Sequence, residues 1–461
     1  AKRLSTPTTP HDAAYAWRLL VTLLAGQVVF GSTMTIIGAS LSDISESLGT
    51  TNATLSWAVS APFLGLAAGT TVFGTLGDLW GHRRMLILGL TVFTAATGVC
   101  GLAWDPLSFI GFRALVGLGG AMTIPNGMAI MMAAFPVNQR ARAMGWFQFA
   151  AVGGPAIGLV TGGALVDALG WRAIFAVYTP IAAIGLIAAI LVVRPSRAGE
   201  AKPVDVAGAL SLVAAVVVLM VALDRGANLG FDHPVALALL ALVPATIWTF
   251  VAIERRTAHP MVPLEWFRRR NYAGPVVASA TANAAYMGGF ILAPQLLQER
   301  YGYTLTAATV FLVVRLVFFS LSSPVGGRLT ATRGERWTSC LGSALVVLAM
   351  VSFAAGSLVD TVVLVILGLA LAGGGLGVAG PAYQVSVVGA VPMDRLGAAT
   401  GMFQTLTSLG TAAGVQVLVL AVGENVSGAA FASAFWLGAA VAAVGVIGAA
   451  AISSADSDLA E

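Results

Sequence analysis

The sequence predicts an all-α integral membrane protein made of two six-helix bundles with two further transmembrane helices between them. Three observations carry that prediction. Of the 461 residues, 58% are hydrophobic and only 10% are charged, whereas a soluble globular chain carries about a quarter charged residues. Apolar runs of roughly 20 residues, enough to cross a bilayer, recur from Trp17 to the C-terminus. The chain also repeats itself. Gly145-Trp146-Phe147-Gln148 leads through Gly154 to Gly158, and Gly401-Met402-Phe403-Gln404 leads through Gly410 to Gly414, each residue 256 positions from its partner. Pro125 and Pro381, Pro136 and Pro392, Gly117 and Gly373, and Gly119 and Gly375 keep the same register. Gly74-x-Leu76-x-Asp78-x-x-Gly81-x-Arg83 is echoed by Gly327-x-Leu329-x-Ala331-x-x-Gly334-x-Arg336 at an offset of 253. Two halves on one plan are the mark of many membrane transporters, which bind cargo where the halves meet.

Taken in order, spans are expected at 17–42, 54–75, 84–103, 107–135, 143–166 and 172–193, then 207–223 and 233–253, then 272–297, 304–325, 337–357, 361–390, 396–421 and 430–453. The repeat matches spans 1–6 with spans 9–14, so spans 7 and 8 are an insertion. The domains that follow are a tail (1–16) without the apolar core of a cleaved signal peptide, an N-terminal bundle (17–193), a linker (194–206), the two added helices (207–253), a second linker (254–271), a C-terminal bundle (272–453) and a tail (454–461). On this count, 19 of the 24 basic residues fall on one side. They include Arg83, Arg84, Arg140, Arg142, Arg194, Arg255, Arg256, Arg268, Arg269, Arg270, Arg336 and Arg395. The positive-inside bias makes that side cytoplasmic, with both termini on it.

The net charge of +4 is therefore topogenic and no sign of nucleic-acid binding. Cys100 and Cys340 lie inside spans without metal-ligand neighbours, so neither a disulfide nor a metal site is expected. No nucleophile–base constellation or phosphate loop points to an enzyme, and no cofactor is implied.

Several residues stand out against this apolar background. In the 74–84 segment, glycines permit a tight turn, arginines hold the segment cytoplasmic, and Asp78 is suited to cap a helix N-terminus or pair with an arginine. Gly154, Gly158 and Gly162, four apart, form a smooth stripe that lets another helix approach, with Pro155 loosening the same turn. Arg113 and Arg315 are the charges inside apolar runs, where a charge is costly and faces protein or water. For Arg315 two readings stay open: a partner for an anionic headgroup or carboxylate, or a structural role in the C-terminal half. The polar candidates for a substrate cavity are Gln27, Thr33, Asn126, Gln148, Asn283, Tyr286, Gln384 and Gln404. Trp146, Phe147, Phe149, Met122, Met287, Phe290, Met402 and Phe403 would complete an adaptable apolar wall. Gln148 and Gln404 weigh most, because the repeat sets them at equivalent depth.

These motifs resemble the major facilitator superfamily along essentially the whole chain. The 74–84 segment looks like its signature loop, Arg113-Ala-Leu-Val-Gly117-Leu-Gly119-Gly120 like its fourth-span motif, and Gly145, Gly154, Gly158, Gly162 and Gly163 like its fifth-span antiporter motif with Leu159 at a proline position. The insertion, Gly170-Trp171-Arg172-Ala-Ile-Phe175 and the Glu254-Arg-Arg linker resemble the fourteen-span drug:proton antiporters. The resemblance implies that Asp78, Gly81, Arg83, Arg84 and Arg113 serve conformational coupling, with Arg113 near span 1 and Gln27. It also implies that Gly154, Pro155, Gly158 and Gly162 meet the opposite half and seal the cavity.

This sequence departs from that subgroup in span 1. Thr33 stands where an aspartate is expected, Gly38 for asparagine and Ser42 for proline, and no titratable group occupies the middle of any span. The expectation is a bacterial plasma-membrane exporter of hydrophobic or amphiphilic molecules, monomeric among membrane lipids, working by alternating access and proton-coupled. Its alternative is a lipid or lipid-like metabolite transporter with weak or no proton coupling.

Overall fold

A computed structural model describes residues 10–55, 57–195, 205–423 and 427–453. Fourteen long helices organise them: α1 (Pro10–Ala39), α2 (Trp57–Trp80), α3 (His82–Cys100), α4 (Pro106–Ala134), α5 (Val137–Leu169), α6 (Arg172–Val192), α7 (Val206–Leu229), α8 (Pro234–Arg256), α9 (Arg270–Glu299), α10 (Leu305–Arg333), α11 (Glu335–Val359), α12 (Val362–Gly389), α13 (Leu396–Val422) and α14 (Gly428–Ala450). Among the described residues, thirteen of these are long and apolar enough to cross a membrane. The other, α5, runs for 33 residues, and side chains at 159, 160, 162–164 and 167 lie outside the description. So do the tails at 1–9 and 454–461 and the linker at 196–204.

Local chemistry sets where these helices begin. Asp105 accepts from the Ser108 amide at 2.6 Å, closing a capping box ahead of Pro106. Thr304 and Ser427 cap α10 and α14 through the amides of Ala307 and Ala430. Gly81 (φ 100°) and Gly334 (φ 84°), repeat partners, make the sharp turns that end α2 and α10. The 74–84 segment is thus mostly helix, since α2 runs on to Trp80. Apolar length marks where a span leaves hydrocarbon, but the backbone hydrogen-bond ladder continues beyond that point.

The repeat is visible in the packing. Within the first half α1 packs on α5 and α6, α2 on α4, and α3 on α4 and α6; in the second, α9 packs on α13 and α14, α10 on α12, and α11 on α12 and α14. The halves meet along two seams, α2 with α13 and α5 with α10. α7 and α8 pack on each other, and α7 lies beside α2 and α13 at the first seam.

The arginine-rich connections gather at one end. Arg83 Nε donates to Val193 O at 2.7 Å, Arg194 lies over the Tyr15 ring, Arg140 reaches Met393, Arg269 donates to Ala390 O and the Ser453 amide to Asn271. At the other end Arg172 donates to Ala103 O, and Arg300 pairs with Asp360 at 2.6 Å. One buried cluster fills the second half and joins the first half at the basic end, including Met128, Met144 and Phe147 with Phe319, Met402 and Phe403. A separate cluster, with Phe30, Phe93, Phe109, Trp171 and Phe175, fills the far end of the first half alone. The halves share a core at the basic end.

Candidate functional site

The seams are built by repeat glycines meeting crosswise. A Cβ on Gly145 would sit 2.6 Å from Ser323 O, and one on Gly401 would sit 2.5 Å from Thr70 O. One on Gly74 would overlap the Gly397 carbonyl, and one on Gly327 the Ala141 carbonyl. Each seam therefore brings backbone against backbone at the basic end, and only glycine permits that approach. The first seam adds a buried threonine knot. Thr405 Oγ1 lies 2.9 Å from both Thr70 Oγ1 and Thr71 Oγ1, and donates to Ala67 O at 2.9 Å. With one hydrogen on each hydroxyl, Thr70 and Thr71 are the donors to Thr405.

Asp78 latches the same seam. Its carboxylate accepts the Gly397 amide at Oδ1 and the Ala398 amide at Oδ2, each at 2.8 Å. These are first-turn N–H groups of α13, otherwise unsatisfied and carrying the positive end of the helix dipole. The other seam has Ala331 at the corresponding place, so the latch is one-sided. Around Asp78 the structure assembles His82, whose Nε2 lies 3.2 Å from Asp78 Oδ1 and whose Nδ1 lies 2.8 Å from Asn126 Oδ1. Sequence reading passed over His82; the available signal was a titratable ring four residues after Asp78, on the next helix. Asn126, expected in the cavity, belongs to this group because its amide donates to Phe73 O and Met122 O. Arg83 turns away to cap α6 through Ile190 O and Val193 O, and Arg84 is exposed.

The span-5 stripe packs differently from the expectation. Gly154 approaches Val28, Gly158 approaches Ser32, and Gly31 lies under the Pro155 ring, all against α1 of the same half. Ser32 donates to Gly154 O and Thr35 to Pro155 O. Gly410 and Gly414 do the same against Ala280 and Ala284 of α9. A smooth stripe specifies a close neighbour without specifying which one, and α1 is the neighbour. Gly162 lies where side-chain surroundings are outside the description.

Arg113 donates to Ala58 O at 3.0 Å and Thr33 O at 3.1 Å, tying α4 to α2 and α1, so its partners are carbonyls and not the Gln27 side chain. Arg315 donates to Tyr286 O at 2.9 Å, with its guanidinium 3.7 Å from the Tyr286 ring centroid and 3.9 Å from that of Phe290. Counted from the glycine stripes, Thr33 and Tyr286 stand one residue apart in level on the first helix of each bundle. Each half thus has a buried arginine stapling its first helix, one from α4 and one from α10. Both are almost fully buried, which favours the structural reading of Arg315.

Of the remaining cavity candidates, Gln148 reaches from α5 to Gly380 on α12 of the opposite half. Gln27 and Gln404 are half-buried. Thr33 is buried with its hydroxyl on Phe30 O, Asn283 bonds Ser279, and Thr407 of α13 bonds Ser279 in turn. Gln384 is buried with Oε1 unpaired. Phe147 and Phe403 are core residues, whereas Phe149 is half-buried and meets the exposed Trp146 ring edge-on. A cavity of about 510 Å³ opens at the basic surface, between the 260–269 linker and Pro392 and Arg395.

Comparison with known proteins fits this architecture. The model of the Major Facilitator Superfamily matches residues 23–415. Multidrug resistance protein Stp of Mycobacterium tuberculosis (strain CDC 1551 / Oshkosh) is 31% identical over 385 residues, covering 83% of this chain and 71% of its own. The tetracenomycin C resistance and export protein of Streptomyces glaucescens is 26% identical, covering 87% and 75%. Among solved structures, the human organic anion transporter MFSD10 (TETRAN) superposes with a TM-score of 0.69 at 14% identity, over 96% of this chain and 100% of that one. The proton:xylose symporter XylE superposes at 0.67 and 13%, over 95% of each. By the extent of the family match and the identity to Stp, this chain belongs to the Major Facilitator Superfamily.

Proposed function

We propose that this chain is a fourteen-span exporter of the bacterial plasma membrane that moves hydrophobic or amphiphilic small molecules outward by alternating access, coupled to protons. The observation that carries the reading is the one-ended closure: glycine seams, threonine knot and Asp78 latch all join the halves at the basic end. With that end cytoplasmic by its arginines, both termini are cytoplasmic and the closed latch corresponds to an outward-facing form. Opening it requires breaking a few bonds at one rim, which two rigid bundles can do by rocking. Relatives named for multidrug resistance and for tetracenomycin C export supply the cargo class. Gln27, Gln148, Gln404, Asn283 and Phe149 remain the residues assigned to cargo contact.

Reconstitution into proteoliposomes with an imposed pH gradient tests the whole reading. Dye efflux should follow the gradient and stop when a protonophore collapses it. Headgroup-labelled lipid crossing between leaflets without a gradient, and no dye movement, would instead establish the lipid reading.

A further inference from the structure

We propose that His82 binds a proton that closure of the basic end requires, making Asp78, His82 and Asn126 a proton site between the halves; the idea rests on the alternating-access reading above. The argument is an inventory of donors and acceptors. Asn126 uses its amide nitrogen to donate to Phe73 O at 3.0 Å and Met122 O at 2.8 Å. Its Oδ1, which only accepts, therefore faces His82 Nδ1 at 2.8 Å. Across the ring, Nε2 faces Asp78 Oδ1 at 3.2 Å, in the carboxylate that already accepts the α13 amides. Acceptors thus stand at both ring nitrogens, and only the imidazolium has an N–H for each. Either neutral tautomer would turn a lone pair onto an oxygen inside a nearly dry seam.

Within reach of the basic-end water, the His82 and Asp78 side chains are 16% and 7% exposed. The charged groups at this end of the packed elements are Asp78 on α2, Arg83 and Arg84 on the ring's own helix, Arg194 just beyond α6, and Asp394 and Arg395 in the turn against α2; Arg113 of α4 lies further along, bonded to Ala58 O and Thr33 O. Arg83 is turned to the end of α6, α4 contributes the neutral Asn126, and α13 contributes backbone N–H. The arrangement gives a chain with Thr33 at the span-1 acid position a titratable group on the moving interface. Because the closed form holds the proton, closure is favoured below the histidine titration range and is lost as pH rises through it.

The test uses the full chain in nanodiscs with Cys100→Ala and Cys340→Ala, and spin labels at the exposed positions Val137 and Trp337, one on each half. For native His82 the closed-to-open ratio should fall several-fold between pH 6 and pH 8.5, because the closed form binds the proton more tightly than the open one. His82→Arg, a fixed cation, should stay closed across that range; His82→Gln should be more open and independent of pH. With only four histidines in the chain, nitrogen-15 imidazole shifts supply a readout that does not depend on the variants folding. Both His82 nitrogens should be protonated in the closed form. A flat native response, a pH dependence that survives His82→Gln, or one bare ring nitrogen in the closed form overturns the proposal. A protein that moves no dye yet closes in this His82-dependent way overturns the export reading and leaves the proton site standing. Export through a seam indifferent to pH does the reverse.

Discussion

Asp78 shows how one residue joins two scales. Its two oxygens each take an α13 amide, and a third contact holds His82. An amide in its place accepts one of those bonds and turns its own N–H₂ toward the other donor. Asp78→Asn is therefore expected to weaken closure by about 2 kcal/mol, the range for a lost charged hydrogen bond, or roughly a thirtyfold shift toward the open form. Label distances across the basic rim would report it, and an unchanged closed population would refute the latch. The sequence made Asp78 legible as a helix cap, because an acid near a span end has few other uses. It hid the partner, since Gly397 and Ala398 contribute backbone and backbone has no sequence signature. Arg113 and Arg315 were legible as buried charges for the same energetic reason. Their shared task was not legible, because the two staples come from non-equivalent helices and Leu369 stands at the repeat position of Arg113.

At the scale of helices, the repeat encodes contact geometry. Gly145 with Gly327, Gly401 with Thr70 and Gly74 with Gly397 allow α5 and α13 to reach the second helix of the other half. A side chain forced into such a close approach costs about 1–3 kcal/mol. Gly401→Val is thus expected to hold the first seam open by tenfold or more while both bundles remain folded. Gly111→Ala, where an added methyl meets nothing within 4 Å, serves as the control. Cross-linking yield between α2 and α13 at the basic end would distinguish them, and equal yields would mean that the seam does not depend on glycine. The stripe Gly154 and Gly158 illustrates the limit of sequence here. Spacing announces a close helix neighbour without naming it, and only the three-dimensional arrangement chooses α1.

For the whole molecule, the proposed gate and the proposed cargo contacts occupy different levels. The latch, seams and threonine knot lie at the basic end, while Gln148 stands deeper on α5, against Gly380 of the other half. Substituting Gln148→Ala and Gln404→Ala together should change the relative efflux of different dyes about tenfold, the worth of one lost polar contact to a buried ligand, without altering the closed distance between Val137 and Trp337. A shifted distance with an unchanged dye profile would mean that the glutamines belong to the seam.

The sequence by itself determined the membrane class, the helix order and the end at which charge collects. Each follows from the cost of placing polar groups in hydrocarbon, which acts on every residue locally and leaves its trace in composition and periodicity. Tertiary structure alone decided which face of each glycine stripe meets which helix, that Asp78 grips the backbone of α13, and that His82 and Asn126 join it. Those choices depend on contacts between residues as far apart as Asp78 and Ala398, where a hydrogen bond is set by shape and distance and not by neighbours in the chain.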